Sequence, residues 1–166
     1  MAANSPPAVV SSPVQAGEEI IRWTDEDVLL QAAFALREEV FCDEPGVPRE
    51  EELDGHDAEA AHLVAIAGEP GEVIGTLRLL RDGDTAKVGR VAVRRSRRRR
   101  GVASRMLQMA VERAAAEGCT RARLAAQTQA TSVYEAAGFA VESGPFQEAG
   151  IEHVWMGRAL ADPASP

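Results

Sequence analysis

Residues 91–107 read VAVRRSRRRRGVASRML, with arginine at six of the seven positions from 94 to 100. The stretch joins two periodicities. Before it, TAKVGRVAV (85–93) has the alternation of a strand. After it, Ala103, Met106, Leu107, Ala110, Val111 and Ala114 recur at helical spacing. A helix is therefore expected from about Gly101 to Glu117, with Gly118 as its C′ residue. The arginines stand directly ahead of a helix N-terminus, where unpaired backbone N–H groups and the positive pole of the macrodipole receive anions. Gly101 and Ala103 keep bulk away from that end, no acid competes in the first turn, and the guanidinium groups offer bidentate partners to phosphate oxygens.

Working outward, EEIIRW (18–23) predicts a first strand, and Thr24 is placed to cap a helix running to about Phe41, with Leu29, Ala33, Leu36 and Val40 on one face. CDEPGVPREEELDGHD (42–57) is broken by Pro45, Gly46 and Pro48 and reads as an acidic loop. AAHLVAIAG (60–68) and EVIGTLRLLRDG (72–83) are expected to pair as a hairpin through GEPGE, and the strand 85–93 follows. Beyond the second helix, TRARLAAQ (120–127) is a strand, TSVYEAAGF (131–139) a short helix ending at Gly138, and HVWMGRAL (153–160) a closing strand. A β–α–βββ–α–β–α–β order with a meander and crossover helices implies an α/β fold of the α+β kind: a mixed, mostly antiparallel sheet flanked by helices on both faces. One domain is expected over residues 18–160, after a Pro/Ser/Ala-rich disordered leader (1–17) and before a similar tail (161–166).

The chain of 166 residues carries 18 basic and 26 acidic residues, a formal charge of −8. Without the six arginines the rest would stand at −14, so the positive charge is one concentrated feature on an acidic body that favours a cationic partner elsewhere. A pI near 4.9 is the reverse of a general nucleic-acid binder's. Cys42 and Cys119 stand far apart, which argues against a metal site or disulfide framework and for a reducing, cytoplasmic setting. No secretory signal and no membrane-length apolar run is evident.

Three readings of the arginine run compete: a solvated charged loop, a nucleic-acid or localisation patch, and a diphosphate cradle. The second fits poorly, because the run lies between two core elements and lacks neighbouring aromatics for base stacking. For the third, neither GxxxxGK[ST] nor a GxGxxG after a strand is present.

The segment resembles the cofactor-binding motif of the GNAT acyltransferase superfamily, [Q/R]xxGx[G/A], whose defined positions are met by Arg98, Gly101 and Ala103. VYEAAGF (133–139) resembles that superfamily's later YExxGF signature. LREEVFCDEPGVP, ELDGHDAEAAHLVA, GTLRLL, KVGRVAV, LAAQ and FQEAGIEHVWM together resemble its ElaA-like branch, covering most of residues 25–157. The resemblance implies the GNAT acyl-CoA N-acyltransferase fold and direct acetyl transfer from acetyl-CoA to an amine acceptor, with no metal, no nucleic acid and no membrane as partner. It assigns the diphosphate to the loop Arg98, Arg99, Arg100, Gly101, Val102, Ala103 and Ser104. The pantetheine arm goes to the backbone of Val91, Ala92 and Val93, where a bulge splays two strands; Gly89 is placed to assist it. Strand edges in this fold often pair, which leaves a homodimer open.

Transfer to an alkyl ammonium needs a base, an oxyanion donor and an acid for the departing thiolate. Tyr134, the chain's single tyrosine, matches the position that often supplies the acid; it also reads as a core aromatic beside Phe139, and the two roles are compatible. Many superfamily members carry a basic Glu on the strand before the loop, whereas 87–93 holds no acid. His62 and His153 are the foremost candidates for the base, a neutral imidazole being competent near pH 7, with Glu52, Asp54, His56, Asp57 or a water chain also open. Each histidine also reads as structural. Gln127 matches a position that orients cofactor or acceptor and equally reads as a strand-end cap. Arg78 and Arg90 lie in strand patterns and need a cleft, a carboxylate or a solvent edge. Two other classes stay open: a non-catalytic acyl-CoA binder, for want of a clear base, and a polyanion binder using the arginine run. The acceptor itself has no signature.

Overall fold

Alternating side chains build an eight-stranded sheet, seen in a computed structural model that describes residues 19–68 and 71–161. The expected leader, the end of the tail (162–166) and residues 69–70 lie outside the described residues. The strands are β1 (Glu19–Thr24), β2 (Ala61–Ala67), β3 (Glu72–Asp82), β4 (Thr85–Val93), β5 (Arg121–Gln127), β6 (Ala140–Val141), β7 (Phe146–Glu148) and β8 (Ile151–Ala159). Their order is β1-β2-β3-β4-β5-β8-β6, with β7 also pairing β8. All neighbours are antiparallel except β4 and β5. This is the mixed, mostly antiparallel α/β sheet expected from the element order.

Helices cover both faces. The first, α1 (Asp27–Glu38), buries Ala33 and Leu36 against Val64, Val73 and Ala92. On the other face α3 (Val102–Ala116) buries Met106, Leu107, Ala110 and Ala114 against Leu63, Leu77, Val88, Leu124 and Met156. Met106 and Leu107 are both fully buried, each contributing about 1.5–3 kcal/mol of transfer free energy. Gly75 allows this close approach: a Cβ there would stand 3.1 Å from both Val102 and Met106 side chains. Two short helices complete the set, α2 (Arg49–Glu52) and α4 (Thr131–Ala136).

Several boundaries differ from expectation. Thr24 does not cap α1; Glu26 is the cap residue, and Thr24 Oγ1 accepts the Glu26 N–H (3.1 Å) in the turn before it. The helical pattern does reach past Phe41, but from Glu39 to Asp43 it widens into a π-helical turn, which hydrophobic spacing alone does not register. The acidic loop contains α2 and a 3-10 turn (Asp57–Glu59). The closing strand begins earlier, at Ile151, because the Ala149–Gly150 turn folds β7 back onto it.

Candidate functional site

Two strands that part company create the site. β4 and β5 pair only from Thr85–Lys87 against Arg121–Arg123, although β4 runs on to Val93 and β5 to Gln127. The separation follows from a bulge in β4: Arg78 of β3 faces Gly89, yet Thr76 faces Ala92, so the β4 strand carries an extra residue. The strained residue is Arg90 (φ +51°), whereas Gly89, the expected contributor, has no positive φ. A one-residue insertion also reverses facing. Ala86 and Val88 point to the α3 side before the bulge, and Val91 and Val93 pack on that same core after it, leaving Ala92 under α1. The β5-facing edge of β4 beyond Lys87 therefore keeps its backbone donors and acceptors unpaired by β5.

The loop at the mouth of this gap has the geometry of an anion nest. Arg99 (φ +64°) and Gly101 (φ +78°) are both left-handed, turning successive amides the same way ahead of α3. Within α3, Arg105 N–H is bonded to Gly101 O (3.1 Å), so the amides of Val102, Ala103 and Ser104 precede the first helical turn's bonds. No acid occupies that turn. A Cβ on Gly101 would meet nothing within 4 Å, so it is φ and not crowding that selects glycine there. These residues suit a diphosphate.

The six arginines of the run divide. Arg94 pairs with Glu39 and Glu72 (3.2 Å each) and anchors the run to the π-helical turn after α1 and to β3. Arg98 donates Nε–H to Val93 O (2.8 Å) and grips Glu44 through Nη2 (3.0 and 2.8 Å). Among the described residues Arg95, Arg97, Arg99 and Arg100 have no side-chain partner. Arg97, Arg98 and Arg99 line the cleft with Gly101, Val102, Ala103 and Ser104. Arg100 and Ala92 are not part of its wall.

Farther in, the cleft is bounded by Val91, Val93, Gln127, Tyr134 and His153, within a volume of about 1570 Å³. Tyr134 is half-buried on α4, and burial pushes its phenol up to about 12, so the hydroxyl keeps its proton. His153 is 8% exposed; its Nδ1 lies 2.7 Å from Ile151 O, and since a carbonyl only accepts, that nitrogen carries the hydrogen and Nε2 is left as the acceptor. Phe146 stacks on its ring (6.0 Å).

His62 stands elsewhere. It is packed edge-on to Phe34 and bonded through Nε2 to Asp57 O (2.9 Å), and it lines a separate small pocket with Trp23 and Arg113. Sequence reading paired it with His153 as a candidate base; both face the same side of the sheet, but His62 stands on β2, two strands from β4 and packed against Phe34 of α1, away from the cleft.

Three carboxylates of the acidic loop, Glu52, Asp54 and Asp57, are committed to arginines. Arg37, 2% exposed, binds Glu52 (2.5 Å) and Asp57 (2.7 and 3.2 Å). Arg78, 5% exposed, binds Asp54 (2.8 Å) and Asp57 (3.2 Å), which is the partner its place in a strand required. Arg90 reaches Glu52 O (2.8 Å) and Asp54 (3.3 Å). Hydrogen bonding from Arg78 holds Asp54 far below the usual carboxylate range. Burial would raise Asp57, but Arg37 and Arg78 outweigh it and its net direction is down. Carboxylates held ionised this way are poor bases. His56 stays exposed at the rim, 2.5 Å from Glu59.

Residues that sequence reading passed over also shape the cleft. Arg97 and Glu44 lie at its mouth, and Arg123 and Trp155 on its floor. The signal for the last two was available: period-2 alternation puts Arg123, Ala125 and Gln127 of β5 on one face, and His153 and Trp155 of β8 beside them.

Comparison with known proteins agrees with this architecture. The sequence pattern of the "Acetyltransferase (GNAT) family" matches residues 25–139. The Bacillus subtilis protein named "Uncharacterized N-acetyltransferase YjcF" is 41% identical over 129 residues, spanning 76% of this chain and 90% of that protein. An acyl-CoA N-acyltransferase from Pseudomonas aeruginosa superposes with TM-score 0.72 at 27% identity, covering 86% of this chain and 99% of the other. Escherichia coli ElaA shares the fold with TM-score 0.72 at 24% identity, over 84% and 99% of the two chains. The splayed β4–β5 pair, the nest ahead of α3 and these matches lead to one conclusion: the chain belongs to the acetyltransferase (GNAT) family.

Proposed function

We propose that this protein is an N-acetyltransferase that moves the acetyl group of acetyl-CoA directly to a small-molecule amine. The observation that carries the proposal is the continuity of one cleft from the Arg99–Gly101 nest, through the β4–β5 gap, to Tyr134 and His153. The amides of Val102, Ala103 and Ser104 receive the diphosphate, with Arg97, Arg99 and the protruding Arg100 supplying countercharge. The unpaired edge of β4 near Val91 and Val93 holds the pantetheine arm and offers an N–H to the developing oxyanion. The bound donor supplies a thioester carbonyl carbon open to attack.

The chain's own residues then move protons. His153 Nε2 accepts the proton that the ammonium gives up, freeing the nitrogen lone pair for attack at the carbonyl carbon. As the C–S bond breaks, Tyr134 donates its phenolic proton to the sulfur. Gln127, beside His153 across the ladder, orients the acceptor. The nitrogen loses two protons in all: the first leaves through His153 to solvent before attack, and the second leaves the tetrahedral nitrogen as the C–S bond breaks and replaces the one Tyr134 gives to sulfur, so one proton is released net.

The test is release of free thiol from acetyl-CoA across an amine panel, alongside thermal unfolding with and without the donor. Donor protection with amine-dependent thiol release is the expected result. Protection without release from any amine would favour a non-catalytic acyl-CoA binder, and β4 without a carboxylate is the feature that keeps this second reading in play. No protection together with steeply salt-dependent binding to nucleic acid would favour the polyanion binder.

A further inference from the structure

Arg123 is poorly satisfied for a cation in a folded protein. Among the described residues its Nε has no hydrogen-bond partner, and it is shut off from solvent. Its nearest carboxylate, Glu142, is 3.7 Å away and is held more closely by Arg121. What fixes Arg123 is a ring: the guanidinium carbon lies 4.3 Å from the centroid of Trp155, which stacks in turn on Phe146 (5.3 Å). A guanidinium held over an indole keeps the N–H groups at its Nη end free for an anion.

The surroundings strengthen the demand for negative charge. Lys87 of β4 occupies the same rung as Arg123, and the two cations sit side by side where the β4–β5 gap begins. Lys87 has one exposed partner, Asp82, at 3.4 Å. Like charges on adjacent strand positions cost stability, and a bound anion relieves that cost. On a body of net charge −8, this is a basic spot outside the arginine loop.

The register supplies a distance. Gln127 and His153 share one rung, Ala125 and Trp155 the next on the same face, and Arg123 and Gly157 the one after. Same-face rungs are about 7 Å apart along a strand. Arg123 itself stands two such rungs from His153, about 14 Å along the sheet, and its lean onto Trp155 brings the guanidinium nearer, to about 7–14 Å. Ala125 presents only a methyl group between them, leaving the floor open.

Resting on the acetyltransferase reading, we infer that the acceptor is an amine that also carries a carboxylate about 7 Å or more from the reacting nitrogen. The amine faces His153, the intervening chain lies over Ala125 against Trp155, and the carboxylate docks on the Arg123 fork beside Lys87. An ω-amino acid or a short peptide has these dimensions; an α-amino acid is too short.

The experiment compares 6-aminohexanoate, hexylamine and glycine as acceptors, by thiol release at saturating acetyl-CoA, for the wild-type protein and Arg123→Gln. The expected kcat/KM for 6-aminohexanoate exceeds that for hexylamine by about tenfold or more, the effect of one charge-assisted hydrogen bond. In Arg123→Gln that ratio collapses towards one. In the wild type it shrinks as salt rises. Equal use of both acceptors by the wild type, preference for hexylamine or glycine, or a ratio unchanged by Arg123→Gln overturns the inference while leaving the acetyltransferase reading in place. Failure of every amine despite donor protection overturns both. The wild-type comparison decides the matter even where the variant is unstable.

Discussion

Gln127 and His153 occupy one rung of the β5–β8 ladder, at the point where β5 has already left β4. The pairing places an imidazole acceptor and a carboxamide side by side on the cleft wall. His153 is held by Ile151 O and Phe146, not by a carboxylate in hydrogen-bond range, since Glu148 is 3.8 Å distant. His153→Gln should therefore lower kcat by about 10²–10⁴-fold, the usual contribution of a positioned base. Donor-induced thermal protection should be preserved. Unaltered kcat at saturating acceptor would remove His153 from the chemistry.

Tyr134→Phe keeps the ring and deletes the proton. A fall in kcat of about 10²-fold with unchanged acetyl-CoA affinity is expected. Because burial pushes the phenol up to about 12, it stays protonated through the working range. The ratio of wild-type to variant kcat should then be constant from about pH 7 to 10, where a free phenol would begin to titrate. A ratio that falls towards one on the alkaline side contradicts the assignment.

Gly101→Val tests the nest. The left-handed φ of +78° is unfavourable for a β-branched residue although the space is open. A loss of about 1–2 kcal/mol in stability and a weakened donor site are expected together. The direct reading is the rise in melting temperature on adding acetyl-CoA, which should shrink relative to wild type. A variant protected as well as the parent would show that the loop conformation is immaterial to the donor.

The buried ionic network predicts acid sensitivity. Asp54 and Asp57 have lowered proton affinity in the folded chain, so their stabilisation is complete above about pH 5, begins to fall at the ordinary Asp value and is lost only as pH reaches their lowered folded-state values. Melting temperature should decline between about pH 5 and 3. Arg37→Ala removes a cation from buried Glu52 and half-buried Asp57, which keep Arg90 and Arg78, and should cost about 1.5–3 kcal/mol at neutral pH, read by denaturant unfolding. A variant unfolding at the parental denaturant concentration would show that the network carries no net stability.

Much of this was legible because local and global signals coincide. The α3 stripe, the strand before it and the glycine at its N-cap are contiguous, so one window holds the whole donor loop. The YEAAGF segment likewise carried Tyr134 to the cleft. Other features depend on pairs far apart in the chain. Arg37 meets Glu52 and Asp57 across 15 and 20 residues, and Arg90 meets Glu52 across 38. Nothing local distinguishes an arginine that will be neutralised this way from one, such as Arg123, that is left with free donors. His62 and His153 are equally plain strand histidines facing the same side of the sheet, and only the places of their strands separate them: β2 lies under α1, two strands from β4, whereas β8 lies beside β5. The π-helical turn at Glu39–Asp43 escaped for a related reason: its extra residue per turn disturbs apolar spacing too briefly to be seen.

The three-rung junction between β4 and β5 has a mechanical consequence. Backbone bonding makes the sheet two panels, one of β1–β4 and one of β5–β8, spliced over a single short seam. Load that would be shared along a full strand pair concentrates on Thr85–Lys87 and on α3, whose buried side chains touch both panels. The seam is therefore a flexure, and opening about it changes the width of the mouth without unzipping either panel. Amide exchange at residues 85–87 and 121–123 reports directly on how stiff that flexure is.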